Sequence, residues 1–496
     1  MERGAQLVTR RMIRFFDERL GLGLTRKGLR YIFPDHWSFL IGEIALYAFM
    51  ILVVTGVFMS FYYIPSEEQT VYSGSYEPLR GVLMGENYAS TLNLSLDVPG
   101  GLLMRQTHHW AANVFIVSIV MHLLRILLTG AFRKPRDLNY QIGVTMLGLG
   151  VFEGFTGYSL PDDLLSGMGL VVAYAVLLAT PVVGADLALL AWGAEFPGSA
   201  DFWPRLFTVH VLIVPALLAI LITVHLMIVM RQHHTHFPGP GRTENNVVGT
   251  PAWPAYALRS IGLFFATTAV LFLLGGLIQI NPVWLWGPYE TDLSTSGAQP
   301  DWYIGWLIGG MRITPALEIH AFGYTLVPNA FWGGFLFPML VFAVMYLWPA
   351  IDRRLFRDTA RHQLLDRPRD NPRRTAFTCA FLTWVMAVFL AGGADRLYIA
   401  TGIPYEAQIW FFRVYTVVMP FIVYFIVHRI CEELRERERR PLREWTGKVI
   451  RRSPDGGFET LALEEGVAVN GGDGAQPAPK PAEAAGQRPA RSDDAP

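Results

Sequence analysis

Two long apolar segments of this chain each carry a pair of histidines, and this feature restricts the fold more than any other. His108 and His122 are 14 residues apart in the first segment, and His210 and His225 are 15 residues apart in the second. In an α-helix either spacing returns a side chain to roughly the same face about 21 to 22 Å further along. Two such helices, packed antiparallel, are therefore expected to form two sites, each with one imidazole from each helix.

Paired imidazoles are a ligand set for haem iron. A single histidine on an apolar helix is more often a hydrogen-bonded core residue, but four at matching spacing in bilayer-length segments favour a functional role, because ionisable groups at membrane depth are costly. Zinc is the weaker alternative, since neither segment contains a cysteine or a carboxylate and structural zinc prefers four ligands. Cys379 and Cys431 belong to no CxxCH or CxxC motif, which excludes a covalent c-type haem or an iron-sulfur cluster on this chain alone.

The composition predicts an all-α polytopic membrane protein, because 52% of the 496 residues are hydrophobic. We expect eight transmembrane helices. Residues 164–193 are also apolar, but Pro181, Gly184 and Asp186 interrupt them, so we predict two short surface helices there. The predicted spans are A (38–63), B (102–130), C (140–160), D (206–230), E (261–280), F (329–347), G (375–390) and H (408–427).

Basic residues predict the orientation. They concentrate in the N-terminal segment and in the B/C, D/E and F/G loops, so the positive-inside rule places both termini in the cytoplasm and residues 164–193 on the outer surface. Residues 5–20 are expected to form an amphipathic surface helix. The sequence after about residue 451 is rich in Gly, Ala and Pro and is expected to be a disordered tail. The F/G loop carries eight arginines: Arg353, Arg354, Arg357, Arg361, Arg367, Arg369, Arg373 and Arg374.

Glycines repeat the histidine spacing. Gly42 and Gly56 in span A, and Gly143 and Gly157 in span C, are again 14 residues apart. Glycine lets membrane helices approach closely, and these two pairs would leave room for two stacked macrocycles inside a four-helix bundle of spans A to D. The extra residue in span D is expected to be absorbed by a kink at Pro215.

Two arginines flank the histidines of span B. Arg105 lies one turn before His108, and Arg125 lies one turn after His122. Each is placed to pair with a haem propionate. An ordinary interfacial arginine that reaches the lipid headgroups is an equal alternative.

A short motif and the end of span C add the third signal. The loop between spans E and F contains Pro300, Asp301, Trp302 and Tyr303 in succession, and span C ends in Gly-Tyr-Ser-Leu-Pro at 157–161. With the histidines and glycines, these residues make the chain similar, over about residues 37–430, to cytochrome b, the haem-bearing core of quinol:cytochrome c oxidoreductase (cytochrome bc) complexes. In that family the two motifs line the outer quinol-oxidation site.

The resemblance implies a ligand set of four histidines. His108 and His210 would bind an outer, low-potential haem b, and His122 and His225 an inner, high-potential haem b. These two haems are the cofactors, and quinol and quinone are the substrates.

The resemblance also implies roles at the outer site. Asp301 would accept a proton from quinol, a task for which an apolar pocket can raise the pKa of a carboxyl group. Tyr303 and Tyr158 would shape the pocket, although tyrosines of an interfacial belt are an alternative.

The implied reaction divides the two electrons of quinol. One goes to a mobile Rieske-type iron-sulfur partner, and the other crosses the membrane through both haems to reduce quinone at an inner site, with protons released outside and taken up inside. The implied partners are the Rieske-type subunit, a cytochrome c subunit, a second copy of the complex in a homodimer, a terminal oxidase in a supercomplex and the lipid membrane, with no nucleic acid. The implied location is a bacterial plasma membrane.

Some features depart from the familiar pattern. Asp301 stands where ubiquinol enzymes have glutamate, and the Arg-Lys-Pro-Arg loop, the run at 239–244 and the long tail resemble the actinobacterial branch, whose substrate is menaquinol. The family's aspartate in span E aligns with Ser260, so the inner proton donor is open. His234 and His236 are candidates, with solvated loop histidines as the alternative.

The predicted domains are a cytoplasmic segment (1–36), a dihaem bundle (37–231), a four-span region (232–430) with an outer loop at 281–326, and a tail (431–496).

Two other function classes compete with the cytochrome. A haem-free proton relay or transporter would need a continuous path of ionisable residues. A dihaem anchor for a dehydrogenase would not need the Pro-Asp-Trp-Tyr loop.

Overall fold

A computed structural model describes residues 29–293, 299–439, 448–452 and 458–462. The chain divides into two compact units, Met1–Glu432 and Glu433–Pro496. In chain order, the first elements are β1 (Ile32–Phe33), α1 (Leu40–Ser60), β2 (Gln69–Val71), β3 (Leu83–Gly85), α2 (Glu86–Leu96), α3 (Gly101–Thr129), α4 (Asp137–Ser159), α5 (Leu164–Leu178), α6 (Gly184–Trp192), α7 (Phe202–Thr208) and α8 (Val214–Gln232). They are followed by β4 (Thr250–Pro251), α9 (Ala257–Leu277), α10 (Val283–Trp286), α11 (Trp302–Ile313), β5 (Ile319–Ala321), β6 (Tyr324–Val327), α12 (Phe337–Phe356), α13 (Pro372–Gly392), α14 (Ala394–Thr401) and α15 (Tyr405–Arg439).

Seven helices among the described residues are long and apolar enough to cross a membrane, and the protein is a multi-pass membrane protein. They correspond to predicted spans A, B and D to H. The eighth predicted span is α4, which at 23 residues is long enough to cross, but its glycines and polar side chains leave it less apolar than the others. Its residues Gly143 and Gly157 lie against His225 and His210, respectively. Helix α4 therefore covers the same depth as the two histidine pairs.

The two histidine-bearing helices run parallel, and the expected antiparallel packing was wrong. The histidines nearest the N-termini of α3 and of the α7–α8 segment lie together, with the ring centroids of His108 and His210 6.3 Å apart. The physical reason is the chain path, because α4 returns across the bundle between them. Two membrane helices that have one membrane-crossing helix between them along the chain run in the same direction.

A π-helical turn absorbs the extra residue of span D. The turn covers Val209–Ile213, contains His210, and joins α7 to α8 without a break. Pro215 follows directly in the first turn of α8. A π turn accommodates one additional residue within a helix, so the adjustment lies just before the proline rather than in a kink at the proline itself.

Helices α1, α3, α4 and α8 form the expected four-helix bundle, in which α3 packs on α1 and α4, α4 packs on α8, and the π turn closes the ring on α1. Small residues at the contacts, including Ala48 and Ala111, are fully buried, which allows close approach of the backbones. The bundle core continues through Phe115 and Leu271 towards Tyr303. The core therefore joins the helices that carry the histidines to α9 and to Tyr303.

The short elements outside the bundle are paired or capped. The predicted pair of short helices between spans C and D is present as α5 and α6, and Asp163 caps α5 by accepting a hydrogen bond from the Ser166 amide. Strand β1 pairs with β4, β2 with β3, and β5 with β6, all antiparallel.

Ion pairs join the loops at the arginine-rich end of the helices. Arg374 is 2% exposed and lies 2.8 Å from Asp352 and 2.5 Å from Asp366, while Arg133 lies 3.2 Å from Asp366. Because breaking a buried pair leaves an uncompensated charge, this network fixes the B/C loop against the F/G loop.

Two predictions concerned the ends of the chain, a surface helix near the N-terminus and a disordered tail at the C-terminus. The predicted helix at residues 5–20 lies outside the described residues. In the second unit, strands β7 (Lys448–Arg452) and β8 (Phe458–Ala462) pair antiparallel. The expectation of a tail without structure after about residue 451 was therefore wrong for 458–462, where branched and aromatic residues favour a strand. The rest of the predicted tail lies outside the described residues.

Candidate functional site

The outer histidine pair is held in one tautomer by hydroxyl groups. The Nδ1 atom of His108 lies 2.9 Å from Thr55 Oγ1, which itself donates to the Ile51 carbonyl oxygen at 2.7 Å. Because the Thr55 proton is already used, its oxygen accepts the Nδ1 proton of His108. The Nε2 lone pair of His108 is therefore free to bind a metal.

His210 is held in the same way from α4. Its Nδ1 atom lies 3.2 Å from Thr156 Oγ1 and 3.1 Å from Glu153 Oε1. Two imidazoles that share one metal through Nε2, at about 2 Å each, have ring centroids roughly 6 Å apart. The separation of 6.3 Å between the His108 and His210 centroids fits such a shared metal.

Glycines lie directly against the outer rings. A Cβ atom on Gly56 would lie 3.3 Å from Cε1 of His108, and a Cβ on Gly157 would lie 2.5 Å from Cε1 of His210. The second distance is shorter than any ordinary Cβ contact. This placement agrees with the prediction that these glycines leave room beside the histidine rings.

The inner pair has the same glycine neighbours but different polar surroundings. A Cβ on Gly42 would lie 3.2 Å from the His122 ring, and one on Gly143 would lie 4.0 Å from Cε1 of His225. Among the described residues, the Nδ1 atoms of both histidines are buried without a hydrogen-bond partner.

The two flanking arginines also differ. Arg105 donates to Ser95 Oγ at 2.9 Å and to the Asn281 carbonyl oxygen at 3.2 and 3.3 Å. In Arg125, the Nε and Nη2 atoms are buried with no hydrogen-bond partner in the described part of the chain, and the guanidinium lies 4.2 Å from the ring centroid of Phe39. Unpartnered donors next to His122 fit an anionic group such as a propionate, whereas each side-chain nitrogen of Arg105 already has one hydrogen-bond acceptor.

A cavity of about 490 Å³ opens beside the outer pair. It is lined by both outer histidines and by three of the predicted quinol-site side chains, Tyr158, Asp301 and Tyr303. Pro300 and Trp302 do not line it. Trp302 instead donates from Nε1 to Asn113 Oδ1 at 2.6 Å and is 37% exposed, so the motif supplies two pocket residues and one anchor.

Asp301 is tied to a histidine that sequence reasoning missed. The Nε2 atom of His109 lies 3.0 Å from Oδ1 and 2.9 Å from Oδ2 of Asp301, and the Tyr303 hydroxyl donates to Oδ2 at 2.7 Å. Burial acts to raise the pKa of Asp301, but His109 and Tyr303 more than offset this and hold the pKa below its usual value. The expected raised pKa was wrong, because the partner on α3 could not be read from the motif.

Comparison with known proteins places the chain in a family. A family model described as cytochrome b (N-terminal)/b6/petB matches residues 113–288. The cytochrome bc1 complex cytochrome b subunit of Streptomyces coelicolor is 42% identical over 469 residues, which cover 93% of this chain and 86% of that protein. The chain belongs to the cytochrome b family.

Further relatives agree with this assignment. The corresponding cytochrome b subunits of Mycobacterium leprae and Corynebacterium diphtheriae are each 44% identical, covering 88% and 87% of this chain and 79% and 80% of the relatives. A solved structure titled hyperthermophilic respiratory Complex III matches with a TM-score of 0.59 and 20% identity, covering 83% of this chain and 99% of that chain. That last likeness concerns the fold.

Membership confirms the resemblance and has direct consequences. The chain is a subunit of an oxidoreductase that transfers electrons, and the family implies haem b as cofactor, a quinol as substrate, and Rieske iron-sulfur and cytochrome c partners. In the described residues, no group of three or more His, Cys, Asp and Glu side chains is arranged to hold a metal ion.

Different surroundings hold the three residues predicted near the inner quinone site: Ser260, His234 and His236. Ser260 donates to Glu43 Oε2 at 2.8 Å. His234 Nδ1 lies 2.9 Å from the Tyr31 hydroxyl, and burial, with Arg125 and Arg136 nearby, lowers the pKa of His234 to about 4. His236 has Nε2 3.1 Å from the Thr243 carbonyl oxygen and Nδ1 3.4 Å from the Val248 amide, which suits a structural role.

The structure places three residues beside predicted site residues to which the sequence gave no site role: His109, Glu153 and Glu43. His109 directly follows a predicted ligand, and Glu153 and Glu43 are carboxylates within apolar spans. Ionisable residues at membrane depth are themselves a signal of function, so the two glutamates could have been found, whereas the pairing of His109 with Asp301 depends on the fold.

Proposed function

We propose that this cytochrome b subunit holds two b haems, oxidises quinol at an outer site and reduces quinone at an inner site, and thereby moves protons across the membrane. The observation that carries the proposal is the outer cavity, in which a histidine pair with free Nε2 atoms and the Asp301–Tyr303 pair line the same space. The haems supply one-electron carriers on the path across the membrane.

The proposed ligands are one histidine from α3 and one from the α7–α8 segment at each level. His108 and His210 form the outer set, and His122 and His225 form the inner set. The glycines at 42, 56, 143 and 157 keep side chains away from the rings, as the Cβ distances support. The unpartnered donors of Arg125 support its pairing with a propionate on the inner side.

Asp301 is the proposed base of the outer site. A carboxylate with a low pKa is ionised at neutral pH, so it is ready to take a proton from a quinol hydroxyl. His109 donates to both carboxylate oxygens and so fixes the carboxylate orientation. Tyr158, which is 7% exposed, and Tyr303 bound the space in which the quinol ring would lie.

We further propose menaquinol as the substrate and a bacterial plasma membrane as the location, with both termini in the cytoplasm. The similarity to the subunits of three actinobacteria supports both. We also propose that the complex is a homodimer and that it joins a terminal oxidase in a supercomplex.

The test is a redox-titrated optical difference spectrum of the purified complex, with extracted haem quantified. We expect two b-type haems with separate potentials, and loss of the inner haem alone in His225→Ala. A well-folded complex without haem would remove the electron-transfer proposal and favour a proton relay.

The role of Asp301 has its own variant. We expect Asp301→Asn to slow menaquinol oxidation by about a hundredfold or more, the usual contribution of a general base, with both haems retained. Wild-type turnover in this variant would contradict the proposed base. Comparing menaquinol with ubiquinol as electron donors to the wild-type complex tests the substrate.

A further inference from the structure

We propose that Glu43 is the proton carrier of the inner quinone site, a role that rests on the proposed function. In this role its carboxyl group gives a proton to a quinone oxygen as the quinone is reduced, and then regains a proton from the cytoplasmic side. Complete reduction of one quinone takes up two protons and two electrons, one electron from each of two quinols oxidised at the outer site. Glu43 regains from the cytoplasmic side each proton that it gives, so it is unchanged at the end of the cycle.

The position of Glu43 links it to the inner histidines. It follows Gly42, whose Cα faces the His122 ring so closely that a Cβ would lie 3.2 Å from it. Phe39, one turn earlier on the chain, lies under the guanidinium of Arg125. Glu43 therefore lies at the level of the inner pair, close to where the proposed transmembrane electron path ends.

The hydrogen bonds of Glu43 suit both protonation states. Its Oε2 atom accepts from the hydroxyls of Tyr47 at 2.9 Å and Ser260 at 2.8 Å, and its Oε1 atom accepts from the hydroxyl of Tyr256. Hydroxyl groups rotate and can donate to a carboxylate or accept from a carboxylic acid. An arginine partner, as Asp352 has in Arg374, would instead hold a carboxylate in its ionised form.

The cluster also extends from the helices to the loop side. Tyr256 lies in the turn before α9 and stacks on Phe33 of β1, with centroids 3.7 Å apart and planes 7° apart. Phe33 in turn lies 4.9 Å from the ring of His234. Aromatic contacts therefore join the Glu43 cluster to His234, which lies just after α8.

The two loop histidines are poorer carriers. The lowered pKa of His234 leaves it neutral at physiological pH, and both ring nitrogens of His236 face backbone groups. Ser260 aligns with an aspartate of the family. Its hydroxyl donates a hydrogen bond to the carboxylate of Glu43 on α1, so a carboxyl group is present beside this position.

The test uses the complete complex with menaquinol and menaquinone. A pulse of menaquinol reduces the b haems through the outer site, and their later reoxidation by menaquinone reports the inner site. We expect Glu43→Gln to reduce the haems at the wild-type rate and to reoxidise them about a hundredfold more slowly. Glu43→Asp should lie between the two. The matched control is Asp35→Asn, an exposed carboxylate that binds Thr250 and Arg259, and it should behave as wild type.

An infrared difference spectrum between oxidised and reduced wild-type complex gives a second readout that needs no variant to fold. It should contain a carboxyl band that shifts in D₂O and is missing in Glu43→Gln. Wild-type reoxidation in Glu43→Gln, absence of the band from the wild type, or loss of the inner haem in the variant would each overturn the proposal. If wild-type haems are not reduced by menaquinol at all, the proposed function itself fails.

Discussion

The outer and inner histidine pairs have the same ligand types and the same glycine neighbours, yet the protein supports them differently. At the outer pair, hydroxyls and a carboxylate from neighbouring helices bind both Nδ1 atoms, and each side-chain nitrogen of Arg105 has an acceptor. At the inner pair, both Nδ1 atoms and two donors of Arg125 have no hydrogen-bond partner within the described residues. The chain itself thus orders the outer pair, whereas at the inner pair we expect the proposed haem to supply the missing partners of Arg125.

The largest effect should come from the glycine that approaches its histidine most closely. Gly157→Ala places a Cβ 2.5 Å from His210, whereas Gly143→Ala places one 4.0 Å from His225. We expect the first variant to lose the outer haem, about half of the b-type absorbance given one haem per histidine pair, and the second to keep both haems. Haem per purified complex is the measurement, and Gly262→Ala, with nothing within 4 Å, is the control. Equal haem content in all three variants would contradict the difference between the sites.

The next effect should separate the two arginines. Arg125→Leu removes two donors that have no hydrogen-bond partner among the described residues and that we propose to pair with a haem propionate. We therefore expect inner-haem affinity to fall by about 1.5 to 3 kcal/mol, the value of a hydrogen bond to a charged group. Arg105→Leu should weaken the attachment of the outer loop through Ser95 and Asn281 while retaining more haem. Haem retention during graded detergent washing, together with limited proteolysis of residues 64–100, distinguishes the two. If Arg105→Leu loses more haem than Arg125→Leu, Arg105 rather than Arg125 is the arginine that contacts the haem.

The smallest effect should come from the outer hydroxyls. Thr55→Ala removes the acceptor for His108 Nδ1, with an expected cost of about 1 kcal/mol for a neutral hydrogen bond and a shift in the potential of the outer haem alone. Redox titration resolves the two haems. A shift of the inner potential of the same size would show that the change is not local.

Local periodicity made much of the fold predictable. Spacings of 14 and 15 residues placed the histidines and glycines on the correct faces. The apolar runs placed most span ends within a few residues of the observed helices, although α12 and α15 continue to Phe356 and Arg439, beyond the predicted ends of spans F and H. The short helices α5 and α6 followed from Pro181 and Gly184, which break a helix within the sequence itself.

Contacts between distant segments were not predictable in the same way. The bond between His109 and Asp301 joins residues 192 positions apart, and that between Glu43 and Ser260 joins residues 217 apart. The other two corrections are local. The parallel direction of α3 and α8 follows from the three consecutive predicted spans B, C and D, and the strand at Phe458–Ala462 pairs with the nearby Lys448–Arg452 inside a compositionally biased tail. Only for the two side-chain bonds does the deciding partner lie outside the sequence window that carried the prediction.

The π turn at Val209–Ile213 separates two quantities that a uniform helix keeps coupled, axial length and angular phase. At about 100° per residue, 15 residues of α-helix would rotate His225 by roughly 60° past His210, whereas 14 residues leave it about 40° short. One widened turn takes up the surplus rotation. The segment can therefore gain or lose a residue near His210 without rotating the part of the helix that carries His225. The orientation of each imidazole ring about the helix axis can change independently of the other. Deleting a residue within the turn should convert it to regular α-helix and leave both rings facing the bundle.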